Sequence, residues 1–276
     1  MNNQRVWFIT GVSGGLGRAI ALAAAAKGDL VYGTVRKPEQ MADFESQIPG
    51  FTKAVLLDIN NHEAVKKVVA ELLEQVGIDV LVNNAGYGLF GAIEEVTMDE
   101  CRKQMETNFF SALHLCQIVL PYMRRAGKGH IVQISSIAGF RGTEGLGIYN
   151  ASKFALEGFS QALQKEVKPF GIHVTLVEPG PFRTEWGGSS SIRSHKTMPE
   201  YADTAGLRIR TIHGYSGTQP GDPAKAADVI LSVVNHPEPP MHLPLGAFAI
   251  EGFRDKMKAL QAEINAWEKL STATSF

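Results

Sequence analysis

The stretch RVWFITGVSGGLGRAI, residues 5–20, decides the fold. A short apolar run leads into a turn rich in glycine, and an alanine-rich helix follows directly. Gly11, Gly15 and Gly17 leave the backbone N–H groups of such a turn free to approach a pyrophosphate at the positive end of a helix. Their Gly-x-x-x-Gly-x-Gly spacing differs from the usual dinucleotide fingerprint and from a P-loop. The turn therefore predicts nucleotide binding, although glycines here can also serve only to pack helix against strand.

The rest of the chain repeats this alternation of apolar strands and helical segments. Strands that are almost wholly apolar and are separated by helices indicate a parallel sheet covered on both faces. We therefore predict an α/β fold, a doubly wound parallel sheet of the Rossmann type with about seven strands, as a single domain over 1–276. The strands are expected at 5–10, 29–35, 53–58, 78–86, 129–136, 172–180 and 241–246, and the main helices at 17–28, 62–77, 98–125, 151–167, 223–235 and 250–270.

One segment interrupts the alternation. Residues 187–222 are rich in Gly, Ser, His and Thr, with a few large apolar side chains among them. Ligands of such sheets bind beyond the carboxyl ends of the strands. We interpret 187–222 as a mobile insertion that covers the substrate, and 250–270 as a C-terminal helical segment.

Composition limits the cellular location and the kinds of partner that we expect. Lys plus Arg number 27 against 28 for Asp plus Glu, and no basic block occurs, so a nucleic-acid partner has no electrostatic support. No apolar run approaches the roughly 18 residues of a membrane span, and the start lacks the pattern of a secretory signal. These features predict a cytoplasmic protein that binds no membrane.

The two cysteines, Cys101 and Cys116, both fall in the helix predicted at 98–125. A rise of about 1.5 Å per residue separates them by about 22 Å, whereas a disulfide tolerates about 7 Å. We expect free thiols. No His/Cys cluster has metal-ligand spacing, so no metal site is predicted.

The end of the second predicted strand, GTVRKP, indicates which nicotinamide cofactor fits. An NAD site uses an acidic residue here to hold the ribose 2′-OH, whereas an arginine accommodates a 2′-phosphate. This sequence has Arg36 and Lys37 and no carboxylate. Arg36 and Lys37 favour NADP over NAD. The alternative is that the two side chains are only solvated residues of a loop. Asp58, after the third strand, is a candidate adenine contact.

The segment YNASK, 149–153, carries the candidate chemistry. Tyr149 and Lys153 are four apart and share one helix face. A nearby ammonium favours the phenolate and so is expected to lower the pKa of Tyr149 for general acid–base work. Alone, such a pair is more often a core aromatic residue beside a surface lysine. It is accompanied by Ser135 and Ser136, which end the strand GHIVQISS and can hold a carbonyl oxygen.

Taken together, these motifs resemble the short-chain dehydrogenases/reductases in their shorter, single-domain branch. The resemblance covers about 4–186. Within the family, the sequence is most similar to the hydroxysteroid and retinol dehydrogenase-like members. The matching motifs, each at an expected strand end or helix, are TGVSGGLG, NNAG (83–86), Asn108, the serine pair, YNASK and PGPFRT (179–184).

The resemblance implies a role for each matching residue. Tyr149 donates a proton to the substrate oxygen, Lys153 holds the nicotinamide ribose, and Ser136, chosen over Ser135 by its interval to Tyr149, steadies the carbonyl. Asn108 anchors a water in a proton relay. The cofactor-binding set comprises Gly11, Ser13, Gly14, Gly15, Leu16, Gly17, Arg36, Lys37, Asp58, Ile59, Asn84, Ala85, Gly86, Tyr149, Lys153, Pro179, Gly180, Phe182 and Thr184.

The function expected is an NADPH-preferring oxidoreductase that reduces an uncharged, largely apolar ketone or aldehyde to an alcohol. Phe140, Leu146 and Trp186 are the candidate substrate-pocket residues. The alternatives are a non-catalytic NAD(P)-sensing binding protein, an NAD-dependent alcohol dehydrogenase of the same family, and the sugar-nucleotide-modifying branch. Glu178, where the family usually has a neutral residue, faces either the pocket or solvent. The resemblance further implies a homodimer or homotetramer that uses the helices at 98–125 and 151–167.

Overall fold

The computed structural model describes residues 4–188 and 190–274. Within them, seven parallel strands form one sheet in the order β3-β2-β1-β4-β6-β7-β9, which confirms the doubly wound α/β prediction. A separate parallel pair, β5 with β8, was not predicted. The strands are β1 (Val6–Ile9), β2 (Leu30–Val35), β3 (Thr52–Leu56), β4 (Val80–Asn83), β5 (Leu89–Phe90), β6 (Gly129–Ile134), β7 (Ile172–Pro179), β8 (Ile192–Arg193) and β9 (His242–Leu245).

Helices cover both faces of the large sheet. Seven of them lie close to the six predicted segments, two of the seven within 98–125, whereas α2 and α7 were not predicted. They are α1 (Gly15–Ala26), α2 (Glu39–Glu45), α3 (His62–Gln75), α4 (Met98–Met105), α5 (Ser111–Ala126), α6 (Gly147–Val167), α7 (Ala205–Gly214), α8 (Pro223–Val234) and α9 (Ala247–Thr272).

Two buried cores show why the strands are apolar throughout. Successive strand side chains point to opposite faces, so Trp7 and Ile9 join the core under α1 and α8, while Phe8 joins the core under α3, α5 and α6. β4 and β6 divide their residues in the same way. A strand covered on both faces gains burial from every side chain, and this arrangement produces the continuous apolar runs read in the sequence.

The long helix predicted at 98–125 is interrupted. It consists of α4, a π-helical turn (Glu106–Phe110) and α5. It begins with a capping box, in which Thr97 and Glu100 satisfy each other's backbone N–H groups. Cys101 and Cys116 are both free thiols, as expected.

The segment 187–222 contains regular structure that its composition did not indicate. β8 pairs with β5, and α7 buries Ile209 and Ile212 against the body of the protein. Beyond it, α9 begins earlier and ends later than the predicted 250–270. Among the described residues, no helix is both long and apolar enough to cross a membrane, and the cytoplasmic location stays a prediction.

Candidate active site

The glycine turn has the geometry that its spacing suggests. Gly11 and Gly15 have φ of 74° and 60°, which side-chain-bearing residues rarely adopt. A Cβ on Gly17 would lie 2.2 Å from the Asn84 amide nitrogen and 2.4 Å from the Gly11 carbonyl oxygen. Two of the three glycines are therefore required by backbone conformation and the third by close approach of another chain segment.

The N-terminus of α1 opens onto this turn. Gly14 is its N-cap, no side chain caps it, and its first turn carries no acidic residue. The first N–H groups of a helix lack intrahelical partners and attract anions. The Thr184 side chain lies 3.7 Å from where a Gly15 Cβ would be, so the loop after β7 reaches the same place. These residues fit a pyrophosphate; Ser13 and Leu16 lie in the same turn.

Asn84, directly after β4, supports the glycine turn through hydrogen bonds, a role that the sequence did not indicate. Its side-chain nitrogen donates to the backbone oxygens of Thr10 and Gly11 at 2.8 and 3.0 Å. The Thr10 hydroxyl accepts in return from the backbone N–H groups of Asn84 and Ala85. Asn84 thus holds the cofactor turn in shape, and Ala85 lies against Gly11.

Arg36 and Lys37 stand exposed directly after β2. No hydrogen bond or ion pair engages the Arg36 guanidinium within 4–188 and 190–274, which leaves its donors available. After β3, Asp58 is exposed and accepts from the Asn60 backbone N–H at 3.0 Å, while Ile59 is buried. The ends of β2 and β3 are adjacent in the sheet, so these residues lie on the same side of the glycine turn.

Tyr149 lies in the first turn of α6 and is only 5% exposed. Burial raises the pKa of Tyr149 to about 12, and a hydrogen bond with the Ser136 side chain lowers it in part. Ser136 caps a short 3₁₀ turn by accepting from the Ala138 backbone N–H at 3.1 Å. The fold thus brings the predicted acid and the predicted carbonyl-holding serine together.

Lys153 lies one turn further along α6 and is also buried. Its Nζ donates to the Ile134 carbonyl oxygen at 2.7 Å and lies 5.8 Å from the centre of the Tyr149 ring. Burial lowers the pKa of Lys153 to about 8, against the opposing influence of the Glu157 charge. The expectation that Lys153 depresses the pKa of Tyr149 is not met, because burial dominates for both groups.

Asn108 occupies the π-helical turn. Its side chain accepts from the backbone N–H of Tyr87 at 3.1 Å and donates to the carbonyl of Tyr87 and to the Ser152 hydroxyl. A Cβ on Gly86 would lie 3.0 Å from Asn108 Oδ1 and 3.8 Å from Lys153 Nζ. Gly86 therefore keeps open the space between Asn108 and Lys153, where the proposed relay would run.

The other side of Tyr149 is apolar. Phe90, Leu146, Ile209 and Ile212 share its buried cluster, and Trp186 packs against them with its ring 5.0 Å from the Tyr149 ring. Leu146 and Trp186 were predicted pocket residues. Phe140, the third, lies elsewhere: it stacks on Phe253 of α9 at a centroid distance of 4.1 Å. Its substrate-pocket prediction is not supported by this placement.

The remaining predicted residues follow β7. Pro179 ends that strand, and the Gly180 N–H donates to Leu245 of β9 at 3.0 Å. Phe182 packs against the core on the α1 side and touches Gly221. A further residue of the YNASK segment was missed: Asn150 binds the carbonyls of Ala138 and Arg141 and so fixes the loop before α6.

Two buried carboxylates and an exposed histidine lie together, namely Glu157 of α6, Glu178 of β7 and His242 of β9. Glu178 is fully buried and its carboxylate is 2.6 Å from His242 Nδ1, so it faces neither pocket nor solvent. Glu157 lies 3.8 Å from the same nitrogen. Burial raises the pKa of both carboxyls, that of Glu157 to about 7, and the bond to Glu178 raises the pKa of His242. Each of the three residues is of a type that can bind a metal ion. The ion pair between Glu178 and His242 already explains why they lie close together.

Glu157→Gln tests whether burial raises the pKa of the Glu157 carboxyl. The pKa of Glu157 rises from 4.5 to about 7 on folding, so its stabilising contribution is complete below pH 4.5 and is lost as the pH rises through 7. From pH 5 to 8, the wild type should lose about 1–3 kcal/mol of unfolding free energy relative to Glu157→Gln, measured by urea denaturation. The exposed Glu166→Gln on the same helix should show no such difference. Parallel curves for wild type and Glu157→Gln would contradict the assignment.

Comparison with known proteins identifies the family to which this sequence is similar. The model of the short chain dehydrogenase family matches residues 5–194. A 3-ketodihydrosphingosine reductase of Bacteroides thetaiotaomicron is 39% identical over 244 residues, covering 88% of each chain. An NADPH-dependent 3-dehydrocapnine reductase of Ornithobacterium rhinotracheale is 41% identical over 197 residues, covering 68% of this chain and 69% of the relative.

Solved structures give the same result. A short-chain dehydrogenase from Streptomyces avermitilis matches all of both chains with a TM-score of 0.94 and 40% sequence identity. The resemblance seen in the sequence is therefore confirmed at the level of the family. The chain belongs to the short-chain dehydrogenases and is an oxidoreductase of that family.

Proposed function

We propose that this protein is an NADPH-preferring reductase that converts an apolar ketone or aldehyde to the alcohol, in a reaction that is reversible. The observation that carries the proposal is the setting of Tyr149. Its hydroxyl has a serine partner, Ser136, and its ring is flanked by an apolar wall. A carbonyl compound placed against that wall can receive a hydrogen bond from both hydroxyl groups.

The acid strength of Tyr149 suits the direction of reduction. A phenol with a pKa of about 12 is protonated at neutral pH, so it is ready to donate its proton to a carbonyl oxygen as the carbon becomes an alcohol. NADPH, when bound, supplies the hydride. Ser136 holds the carbonyl oxygen in line with Tyr149 while charge develops on that oxygen.

Lys153 and Asn108 support this proton transfer. Lys153, with a pKa of about 8, is largely protonated at pH 7, so its ammonium can hold the nicotinamide ribose and stabilise the phenolate that proton donation leaves. The opening beside Gly86 joins Lys153 to Asn108. We propose that a water held there by Asn108 returns the proton through Lys153.

The substrate class follows from the apolar cluster and from the relatives. Phe90, Leu146, Trp186, Ile209 and Ile212 offer no charged group to a substrate. Two of the relatives are, by name, reductases of 3-ketodihydrosphingosine and of 3-dehydrocapnine. We propose a largely apolar ketone of this kind, covered by the insertion at 187–222, whose α7 supplies Ile209 and Ile212.

The first experiment compares NADPH and NADH oxidation with 3-ketodihydrosphingosine and with a simple aryl ketone, followed by loss of reduced-nicotinamide absorbance. Stoichiometric formation of alcohol with NADPH is the expected result. Tight NADPH binding with no turnover on either ketone or on a panel of aldehydes would favour a cofactor-sensing protein instead.

Arg36→Ala tests the cofactor preference. The guanidinium has no partner among the described residues at the end of β2, where a 2′-phosphate would lie, and a charged hydrogen bond of this kind contributes about 1.5–3 kcal/mol. NADPH affinity should therefore fall by about 10- to 100-fold, with NADH affinity unchanged within about twofold. Arg125→Ala, an exposed arginine at the end of α5, is the matched control and should alter neither. An equal loss for both cofactors would remove the 2′-phosphate role.

A further inference from the structure

The distal part of α9 projects from the protein. Of its 26 residues, only Ala249, Gly252 and Phe253 are buried, and every residue from Met257 to Thr274 is exposed. The projecting part, 254–272, is about 28 Å long at 1.5 Å per residue. In proteins most of the stability of a helix comes from tertiary packing of one face, and the exposed residues of this part have little such packing. We refer to 254–272 as the arm.

One stripe of the arm is apolar. Met257, Leu260, Ile264 and Trp267 are 53%, 38%, 58% and 62% exposed. Their separations of three, four and three residues continue those of Ile250 and Phe253, so the stripe occupies the a and d positions of a heptad repeat. A strict a/d stripe is narrower than the face that a helix lays on a globular core and is typical of helix-to-helix pairing.

The charges of the arm disfavour a membrane surface as its partner. Between 254 and 272 it carries four basic residues and three acidic ones. Helices that lie on anionic membranes instead carry a predominantly basic polar face. The partner that matches a narrow a/d seam with mixed charge is another heptad helix.

We propose that the arm pairs with the arm of a second copy of this chain, in antiparallel orientation. With Met257 opposite Trp267 of the partner subunit, Leu260 falls opposite Ile264 of the partner subunit, and each pair occurs twice about a two-fold axis. The same register places Arg254 beside Glu268 of the partner subunit, again twice. Antiparallel coiled coils pair e with e′ and g with g′, and both of these residues are e positions.

The opposite orientation is disfavoured by charge. A parallel pair brings a g residue to the following e′ residue, which would set Glu263 against Glu268 of the partner subunit in two places, with no attractive pair in return. The antiparallel pair has one unfavourable contact, Glu263 with its own copy near the axis, against two favourable ones. This interface is separate from the helices at 98–125 and 151–167 that the family resemblance implies for assembly.

Cross-linking tests the proposed register directly. In a Cys101→Ser background, Gln261→Cys places a thiol near the two-fold axis, where a short bismaleimide should link two chains. Ala262→Cys, at the neighbouring f position that faces away from the partner helix, is the matched control and should not be linked. Equal linking of both variants, or none of Gln261→Cys at micromolar protein, would overturn the proposal. If Gln261→Cys is not cross-linked and the protein floats with phosphatidylcholine–phosphatidylglycerol vesicles, the arm would be assigned to a lipid surface.

Charge reversal then tests the orientation. Arg254→Glu and Glu268→Arg each replace two attractive contacts by two repulsive ones, so each should reduce cross-linking of Gln261→Cys by about three- to tenfold. The double variant restores both attractions and should recover the original yield. A general loss of helix stability would not be reversed in the double variant. A double variant that cross-links less than either single variant would therefore contradict the antiparallel pairing.

Discussion

Tyr149→Phe is expected to lower the rate of NADPH-dependent ketone reduction by about 10²–10⁴-fold, the usual contribution of a positioned general acid. The change removes one oxygen atom and keeps the ring that packs among Phe90, Leu146 and Trp186. Steady-state kinetics measure the loss, and a fluorescence titration with NADPH should give an affinity within a few-fold of the wild type.

The control for this variant is the same substitution elsewhere. Tyr122→Phe removes a hydroxyl from α5 that lies beside Gly77, just after α3, and should retain full turnover. Retained turnover in Tyr149→Phe would exclude Tyr149 as the proton donor. Equal losses in binding and in rate would instead indicate that the hydroxyl serves the shape of the site.

Gly17→Ala should damage the cofactor turn more than any other single methyl group. The added carbon would lie 2.4 Å from the Gly11 carbonyl oxygen, which is backbone, and 2.2 Å from the Asn84 amide that braces it. Overpacking of this kind costs about 1–3 kcal/mol, and NADPH affinity should fall more than tenfold because the turn must move. Thermal unfolding and an NADPH titration measure the two effects.

Gly14→Ala is the matched variant for stability. Its backbone is extended, and an added carbon would meet no atom within 4 Å, so its melting temperature should equal that of the wild type. If Gly17→Ala also melts at the wild-type temperature and binds NADPH normally, the close contact with Asn84 has no role in shaping the turn.

Much of the fold could be predicted because its signals are local. A glycine turn between an apolar run and a helix defines β1 and α1 within sixteen residues, and YNASK places Tyr149 and Lys153 on one helix face by spacing alone. The short strands β5 and β8 have no such signal, because each has only two residues and depends on the other for pairing. The helix α7 was hidden by a composition typical of loops.

Some contacts near the site could not be predicted because the residues that make them are distant in sequence. Glu157, Glu178 and His242 come from three elements, and only the neighbouring positions of α6, β7 and β9 bring them together. Phe140 was predicted from its apolar character, yet the end of the chain supplies its stacking partner, Phe253. The pKa values of Tyr149 and Lys153 could not be predicted for the same reason. Burial by the whole fold outweighs the effect of one neighbouring charge on each pKa.

The packing of α7 on Tyr149 links substrate entry to acid strength. Ile209 and Ile212 help to keep water from the phenol, and burial is the main cause of its raised pKa. If the insertion at 187–222 covers the substrate as proposed, a displacement of α7 would rehydrate Tyr149 and move its pKa back toward 10. On that proposal, one movement of α7 would change both the access of substrate to the site and the pKa of Tyr149.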